Sequence, residues 1–262
     1  MASIQQAFNV NRFLVSALAF FAASFVSTTA ISAEKTIKEP WQLAEESEVW
    51  EPVPEIVTAL PEVPPADAIV LFNGNDLERW VTADNKAAKW IVEDGAFTVA
   101  AKTGDIKTKQ SFCDVQLHLE WRSSLEIKGK EGQARGNSGV FLQERYEVQI
   151  LDSYENKTYP NGQAGSIYKQ SIPLVNVTRA PGVWQTYDII FIAPKFDDGG
   201  KLIAPAFVTV LHNGVLVQNN FQIQGPTAWI GHPPYEAHDC APLRLQDHGD
   251  AVSFRNIWIR EL

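Results

Sequence analysis

Short strand-like segments, each closed by a turn residue, recur along the chain from residue 68 onward. They are separated by Gly, Asn or Pro, and no window has the spacing of an amphipathic helix. Many short strands at this spacing are typical of an all-β sandwich or jelly roll. The segments are Ile69–Phe72, Trp90–Val92, Ala96–Ala100, Asp114–Arg122, Ser138–Leu142, Tyr146–Leu151, Trp184–Ala193, Phe207–His212, Val215–Gln218, Leu243–Gln246 and Val252–Arg260.

One connection can be predicted together with its turn. Asn213 and Gly214 stand between two of these segments, and Asn-Gly is the preferred pair for a two-residue hairpin. The sequence therefore predicts that Phe207–His212 and Val215–Gln218 are antiparallel neighbours.

The first 33 residues have the order of a secretory signal peptide. Arg12 precedes an apolar run over residues 13–23, and small residues follow at 27–33. This order indicates cleavage after Ala33, with Ala30 as the alternative. The run is shorter than the roughly 20 residues of a spanning helix, so a membrane anchor is the less favoured interpretation. We therefore expect an exported protein, periplasmic or extracellular, with no membrane attachment after cleavage.

The remaining chain divides at about residue 66. Residues 34–66 are rich in Pro and Glu, which predicts an extended acidic leader. Residues 67–262 have a length that suits one β-sandwich domain with a substantial core.

Charge and cysteine content restrict the partners and the compartment. The net charge is -9 and the pI is about 5.1, whereas a nucleic-acid partner would need a basic stripe. We therefore expect no nucleic acid as a partner. Cys113 and Cys240 are the two cysteines, and an oxidising compartment would allow them to form a disulfide. Two separately buried thiols are the alternative, and the sequence leaves both open.

Polar side chains alternate with apolar ones in several predicted strands. Because alternate residues of a strand share a face, Glu147 and Gln149 are expected to project together into one groove. By the same rule, His118, Glu120 and Arg122 are expected to share one face of their strand. Arg244, Gln246 and His248 are expected to share a face of another.

These polar sets could form the wet face of an ordinary antiparallel sheet. Their composition favours a binding groove, because Glu147, Gln149, Gln246 and Asn137 lie beside glycines that allow close approach of a ligand. A polar groove on a sheet suggests a sugar-sized ligand.

A set of motifs follows in a fixed order: Leu71-Phe72-Asn73-Gly74, Gly136-Asn137-Ser138-Gly139, Tyr146–Asp152, Gly162-Gln163-Ala164-Gly165 with Tyr168, and Pro242–Gly249 followed by Phe254–Trp258. In this order and spacing they resemble the 3-keto-disaccharide hydrolase domain family, from about Ile69 to Leu262. The resemblance implies a concanavalin A-like jelly roll whose concave sheet holds the site.

The resemblance also implies the substrate. A separate oxidoreductase, a sugar 3-dehydrogenase, would turn a sugar 3-hydroxyl into a ketone, and this domain would then break the glycosidic bond. A ketone at C3 acidifies the C2 hydrogen, so the C1 substituent can leave by elimination, and hydration of the enone completes a net hydrolysis. Such a site needs a base near C2, a group at the enolate oxygen and an acid for the leaving group.

Candidate residues exist for each role. Glu147 or His248 is expected to be the base, and Glu120 the acid or a second carboxylate. Arg122 or Arg244 could hold the enolate or a hydroxyl. The expected substrate-binding residues are Arg122, Asn137, Gln149, Asp152, Tyr168, Arg244, Gln246 and Asp247.

A divalent metal is a possible cofactor, and the sequence leaves it open. Glu120, Glu147, Asp152 and His248 supply ligand types that Ca, Mn or Zn accept. Their spacing is unlike a tight zinc motif such as His-Glu-x-x-His.

Two other functions compete with this hypothesis. A laminarinase-like retaining glycosidase carries Glu-x-Asp-x-x-Glu on a concave strand, but here Gln149 cannot ionise and Asp152 is one methylene shorter than the expected Glu. A non-catalytic glycan-binding module is the alternative from another class, because jelly rolls often serve that purpose.

Overall fold

The computed structural model describes residues 38–60 and 63–262, which fall into two units, one ending at Pro54 and the other running from Glu55 to Leu262. The predicted signal peptide, residues 1–33, lies outside the described residues. No helix in the described part of the chain is long and apolar enough to cross a bilayer.

The first unit contains a short helix within the predicted extended leader. Helix α1 spans Pro40–Glu45, and Pro40 occupies its first turn. The Glu39 backbone N–H donates to Gln42 Oε1 at 2.9 Å, which satisfies a donor at the helix start. Six residues are too few for the helical periodicity to be visible in the sequence.

The second unit is built from strands, as predicted. They are β1 (Ile69–Phe72), β2 (Trp80–Thr82), β3 (Ile91–Glu93), β4 (Ala96–Thr98), β5 (Ile106–Phe112), β6 (Val115–Arg122), β7 (Ser138–Leu142), β8 (Tyr146–Ile150), β9 (Gln185–Ile192), β10 (Lys195–Phe196), β11 (Leu202–Ala204), β12 (Phe207–His212), β13 (Val215–Gln222), β14 (Ala241–Leu245) and β15 (Ser253–Glu261). Two single turns of 3-10 helix lie at Gly132–Ala134 and Pro160–Gly162.

The strands form two antiparallel sheets that face each other. The larger has the order β13-β12-β9-β6-β15-β4-β3, with β1 also paired to β15, and the smaller has the order β2-β5-β14-β7-β8. Strands β10 and β11 form a separate two-stranded hairpin. The predicted all-β jelly-roll sandwich is therefore confirmed.

The core lies between the two sheets because apolar residues occupy one parity of each strand. In β6 the fully buried residues are Leu117, Leu119 and Trp121, and in β8 they include Val148 and Ile150. The intervening polar residues of both strands therefore point outward, away from the core.

Two connections bear on the predictions. The hairpin between β12 and β13 turns at Asn213 and Gly214, whose positive φ values of 52° and 76° are those of the expected Asn-Gly turn. Cys113 and Cys240 form a disulfide, in a position where β5 and β14 pair side by side.

Strand β5 does not appear among the predicted segments. Its central residues Lys107, Thr108 and Lys109 are polar, and only part of the strand faces the core. Because its packing is uneven, its sequence lacks the regular alternation by which the other strands are recognised.

Candidate active site

A pocket of about 220 Å³ opens on the outer face of the five-stranded sheet. Amide, carboxyl, imidazole, hydroxyl and aromatic groups surround it, so it presents many hydrogen-bonding groups to a ligand. Its lining residues are Asn137, Phe141, Glu147, Gln149, Tyr168, Thr227, Ala228, Trp229, Gln246 and His248.

The floor of the pocket comes from neighbouring strands in register. Phe141 of β7 pairs with Glu147 of β8, and Gly139 pairs with Gln149, so these side chains share the outer face. The Gln246 backbone N–H donates to the Gly139 carbonyl at 3.1 Å, which continues the same row from the end of β14. The predicted common groove for Glu147, Gln149 and Gln246 is therefore present.

Glu147 is a buried carboxyl group, with 4% of its surface exposed. Burial raises its pKa to about 8, while the nearby Arg244 lowers the pKa and Asp105 raises it. No hydrogen bond or ion pair from a basic side chain of the described residues reaches its carboxyl group. A carboxyl group with this pKa is mostly protonated at pH 7.

Two amide side chains that contact Gln149 have their orientations set by the backbone. Gln133 Nε2 donates to the Gly162 carbonyl at 2.9 Å, and Asn137 Nδ2 donates to the Gln133 carbonyl at 2.8 Å. A carbonyl can only accept, so each amide must turn its nitrogen to the carbonyl and its oxygen toward Gln149.

The third amide, Gln149, transmits this orientation to Glu147. Its Nε2 donates to Asn137 Oδ1 at 3.2 Å and to Gln133 Oε1 at 3.3 Å. Its oxygen then lies 2.8 Å from Glu147 Oε1, and since an amide oxygen only accepts, Glu147 must hold the proton in this arrangement.

The reversed Gln149 amide would donate to the Ser138 carbonyl and to Glu147, but it would set an oxygen against the oxygens of both Asn137 and Gln133. We favour the first orientation because only one pair of acceptor oxygens then faces each other without a proton, that of Gln149 and Ser138. The reversed orientation has two such pairs. In that orientation the protonated Glu147 donates to Gln149, in agreement with the raised pKa of Glu147.

His248 and Asp247 lie in the loop after β14. His248 is exposed and lines the pocket, whereas Asp247 supports the loop. The Gly104 and Gly249 backbone N–H groups each donate to the Asp247 carboxylate at 3.0 Å. Asp247 is therefore a positioning residue for His248 and does not line the pocket.

Arg244 lies behind the pocket wall. Its guanidinium stacks at 3.7 Å on the ring of Phe141 and pairs with Asp105. It also donates to the Glu144 carbonyl at 3.1 Å. Arg244 therefore packs against Phe141, and its positive charge lowers the pKa of Glu147.

Asp152 is buried in an ion pair outside the pocket. Arg135 Nε lies 2.8 Å from its Oδ2, and the Tyr154 backbone N–H donates to its Oδ1 at 3.2 Å. Asp152 does not line the pocket, which corrects the expectation that it binds the substrate. Its ion pair with Arg135 instead joins the loop before β7 to the loop after β8.

Glu120 and Arg122 are on the other sheet, which corrects the expectation that they share the groove. They alternate with the core residues of β6 and so face the outside of the eight-stranded sheet. Glu120 pairs with Arg255 at 2.7 Å, and Arg122 stacks on Trp184 at 4.6 Å. We therefore do not assign them to the site.

The remaining expected residues, Asn137, Tyr168 and Gln246, line the pocket. Sequence reasoning did not select Phe141, Thr227, Ala228 or Trp229, nor Gln133, which orients Gln149. The parity rule could have found Phe141, since it lies two residues after Gly139. Nothing in the sequence places the loop of Thr227 to Trp229 over β8.

The residues present do not fit a three-ligand metal site. The described residues contain no group of three His, Cys, Asp or Glu side chains able to hold a metal ion. Of the candidate ligands, Glu147 and His248 line the pocket, and a protonated Glu147 is a poor metal ligand.

Comparisons with known proteins bear directly on this site. Residues 67–260 match the family described as the 3-keto-alpha-glucoside-1,2-lyase-like domain. A curated relative from Bacteroides thetaiotaomicron, named 3-keto-disaccharide hydrolase, is 27% identical over 247 residues, which cover 76% of this chain and 80% of the relative.

Solved structures from Parabacteroides distasonis share the fold. A candidate glycosyl hydrolase is 53% identical with a TM-score of 0.80, and the match covers 83% of this chain and 96% of that one. Another is 24% identical with a TM-score of 0.56, covers 75% and 94% of the two chains, and shows the fold alone.

The family match over residues 67–260 includes every residue that lines the pocket. The comparisons confirm the resemblance seen in the motifs, and the protein is an enzyme of the glycoside hydrolase type. The chain belongs to the 3-keto-alpha-glucoside-1,2-lyase-like domain family.

Proposed function

We propose that the protein is an exported enzyme that cleaves the glycosidic bond of 3-keto-glycosides and 3-keto-disaccharides by elimination followed by hydration. The observation that carries the proposal is a buried Glu147 in an amide-lined pocket together with His248, where burial raises the pKa of the carboxyl group to about 8. The family and the name of the curated relative support the substrate class.

The reaction divides into two balanced steps. A base removes the C2 proton, the electron pair forms the C1–C2 double bond, and the C1–O bond breaks as the leaving oxygen takes a proton from an acid. Water then adds across the double bond, with its oxygen bound to C1 and a proton returned to C2. The sum is hydrolysis, and acid and base end in their original protonation states.

The structure favours a division of these roles. Glu147 is mostly protonated at pH 7, which suits the acid that protonates the leaving oxygen. His248 is exposed at the same pocket and is the remaining titratable candidate for the base. Asn137 and Gln246 would hold hydroxyl groups or the enolate oxygen, because no Lys or Arg lines the pocket among the described residues. The amide of Gln149 is already bonded to Asn137 and Gln133 and would position Glu147.

A conventional retaining glycosidase is less well supported. That mechanism needs two carboxyl groups roughly 5 to 5.5 Å apart. Glu147 is the one carboxylic acid among the described residues that line the pocket, and Asp152 is committed to Arg135.

The substrate implies a preceding oxidation. A ketone at C3 arises by removal of two hydrogens from a secondary alcohol, so a sugar 3-dehydrogenase is the functional partner that we propose. This domain would then consume the oxidised saccharide.

Export is supported by the order of Arg12, the apolar run and Ala33, and by the disulfide between Cys113 and Cys240. N-terminal sequencing of the protein recovered from a cell fraction tests it. The first residue is expected to be Glu34, or Ile31 if cleavage follows Ala30, and an intact Met1 would contradict the proposal.

The activity test compares a 3-keto-glucoside that carries a chromogenic leaving group with its unoxidised parent, with and without EDTA. We expect release from the keto compound alone. Release from the parent at a similar rate would indicate a conventional glycosidase, and release from neither would indicate a glycan-binding module. Loss of activity with EDTA would assign a metal requirement.

Glu147→Gln tests the role of the acid in the same assay. We expect turnover to fall by at least about 100-fold, because the amide keeps the shape of the side chain but cannot donate an acidic proton. Glu93→Gln is the matched control, because Glu93 is exposed on β3 of the other sheet. Retained activity in Glu147→Gln would remove Glu147 from the mechanism.

A further inference from the structure

Trp229 is a large aromatic side chain that both lines the pocket and faces solvent. Its exposed fraction is 76%, and that of the next residue, Ile230, is 77%. A single exposed apolar side chain is common on protein surfaces, but Trp229 also lines a polar pocket, where its ring can contact a bound ligand.

The loop that carries Trp229 is held at its base. Gly225 lies so close to the Pro233 carbonyl that a Cβ atom would be 2.3 Å from the oxygen, and its φ of +130° also requires glycine. Gln170 closes the other side, since its Nε2 donates to the Gly225 carbonyl at 3.0 Å and its Oε1 accepts from the Gln224 N–H at 2.8 Å.

The same loop is attached to the strand that carries Glu147. The Thr227 N–H donates to the Arg145 carbonyl at 2.8 Å, and the Glu147 N–H donates to Thr227 Oγ1 at 3.0 Å. Trp229 therefore lies two residues after Thr227, which is hydrogen-bonded to the backbone of Glu147. An aromatic side chain held in this way binds without first having to order its loop.

The size of the pocket determines which part of the substrate Trp229 would meet. A volume of about 220 Å³ lies below the range of roughly 300–1,000 Å³ that encloses a drug-sized ligand. The pocket therefore suits one sugar ring, and the second half of a disaccharide must extend beyond it. The polar groups that would act on the keto ring lie inside, and the exposed aromatic surface lies at the rim.

We infer that Trp229 is the platform for the leaving-group half of the substrate, against which a sugar ring or an aryl group stacks. This inference rests on the proposed function. It makes Trp229 a residue that determines specificity, since the platform recognises the flat apolar face of the leaving group.

The test compares two 3-keto-glucosides that differ only in the leaving group, 4-nitrophenyl or methyl. Trp229→Ala is expected to lower kcat/KM for the 4-nitrophenyl compound by about three- to tenfold, and for the methyl compound by less than about twofold. Ile230→Ala is the matched control, because Ile230 is equally exposed on the same loop but does not line the pocket. Trp229→Phe should recover most of the lost activity.

Calorimetric binding of the unoxidised 4-nitrophenyl and methyl glucosides separates this inference from the proposed function. Wild-type protein should prefer the 4-nitrophenyl glucoside, and Trp229→Ala should lose that preference. An unchanged preference, or equal losses for both leaving groups, would overturn the platform even if the enzyme is active. If wild-type protein cleaves neither keto compound but Trp229→Ala abolishes the binding preference, the reaction is wrong and the platform stands.

Discussion

A Cβ atom at Gly139 would lie 2.5 Å from Oε1 of Glu147, so the glycine leaves open the space that the carboxyl group occupies. Residue 139 faces the pocket from β7, on the strand next to Glu147. The motif Gly136-Asn137-Ser138-Gly139 therefore contains a glycine that is required by a side chain on a different strand.

Gly139→Ala is expected to reduce kcat/KM by about 10- to 100-fold, because the methyl group displaces the acid from its hydrogen bond to Gln149. A Cβ at residue 139 would also lie 2.7 Å from Cε2 of Phe141, so far-UV circular dichroism and urea unfolding must first show that the variant keeps its fold. Gly199→Ala is the control, because a Cβ there would be 3.3 Å from Asp197 in an exposed turn. Equal activities of the two variants would contradict the role of Gly139.

The pH dependence of activity should report the protonation of Glu147. Since the acid must be protonated to act, kcat/KM is expected to fall as the pH rises through about 8, the pKa that burial produces. Arg244 lowers this pKa, so Arg244→Gln should move the alkaline limb to higher pH. Arg255→Gln removes the same charge from the other sheet and should leave the limb in place. If Arg244→Gln does not move the alkaline limb, the limb reports the titration of a group other than Glu147.

The same carboxyl group should also affect stability. Between pH 4.5 and about 8 the folded chain keeps a proton on Glu147 that the unfolded chain has released. The free energy of unfolding should therefore fall with rising pH in this range, by up to about 1.4 kcal/mol per pH unit from this group. Urea unfolding of wild-type protein and Glu147→Gln at pH 5, 7 and 9 tests it. The variant should lose less stability than wild type, and equal slopes would show that Glu147 is ionised.

Asp152 should matter for stability because its partner is buried with it. Asp152→Ala leaves the Arg135 guanidinium uncompensated, and we expect a loss of about 3–5 kcal/mol in the free energy of unfolding. Asp67→Ala breaks the more exposed pair with Arg260, which solvent screens, and should cost much less stability than Asp152→Ala. Urea unfolding of both variants measures the difference, and similar losses would contradict the structural role of Asp152.

Strand parity accounts for what could be predicted of the site. Apolar and polar residues alternate without interruption in β6 and β8, so the outward direction of Glu120, Glu147 and Gln149 followed from the sequence. The motifs in their order also identified the family, which the comparisons confirm.

The sheet to which each strand belongs was decided only by tertiary structure. Parity states that Glu120 and Glu147 both point away from the core, but β6 pairs with β9 and β15 in one sheet and β8 pairs with β7 in the other. The two carboxyl groups therefore lie on opposite outer faces of the sandwich, because strand pairing depends on contacts between residues far apart in sequence. The burial that raises the pKa of Glu147, and the loop that brings Trp229 to the pocket, arise from the same long-range packing. The sequence by itself determined the strands, their faces and the family, and only the folded chain determined which polar faces meet.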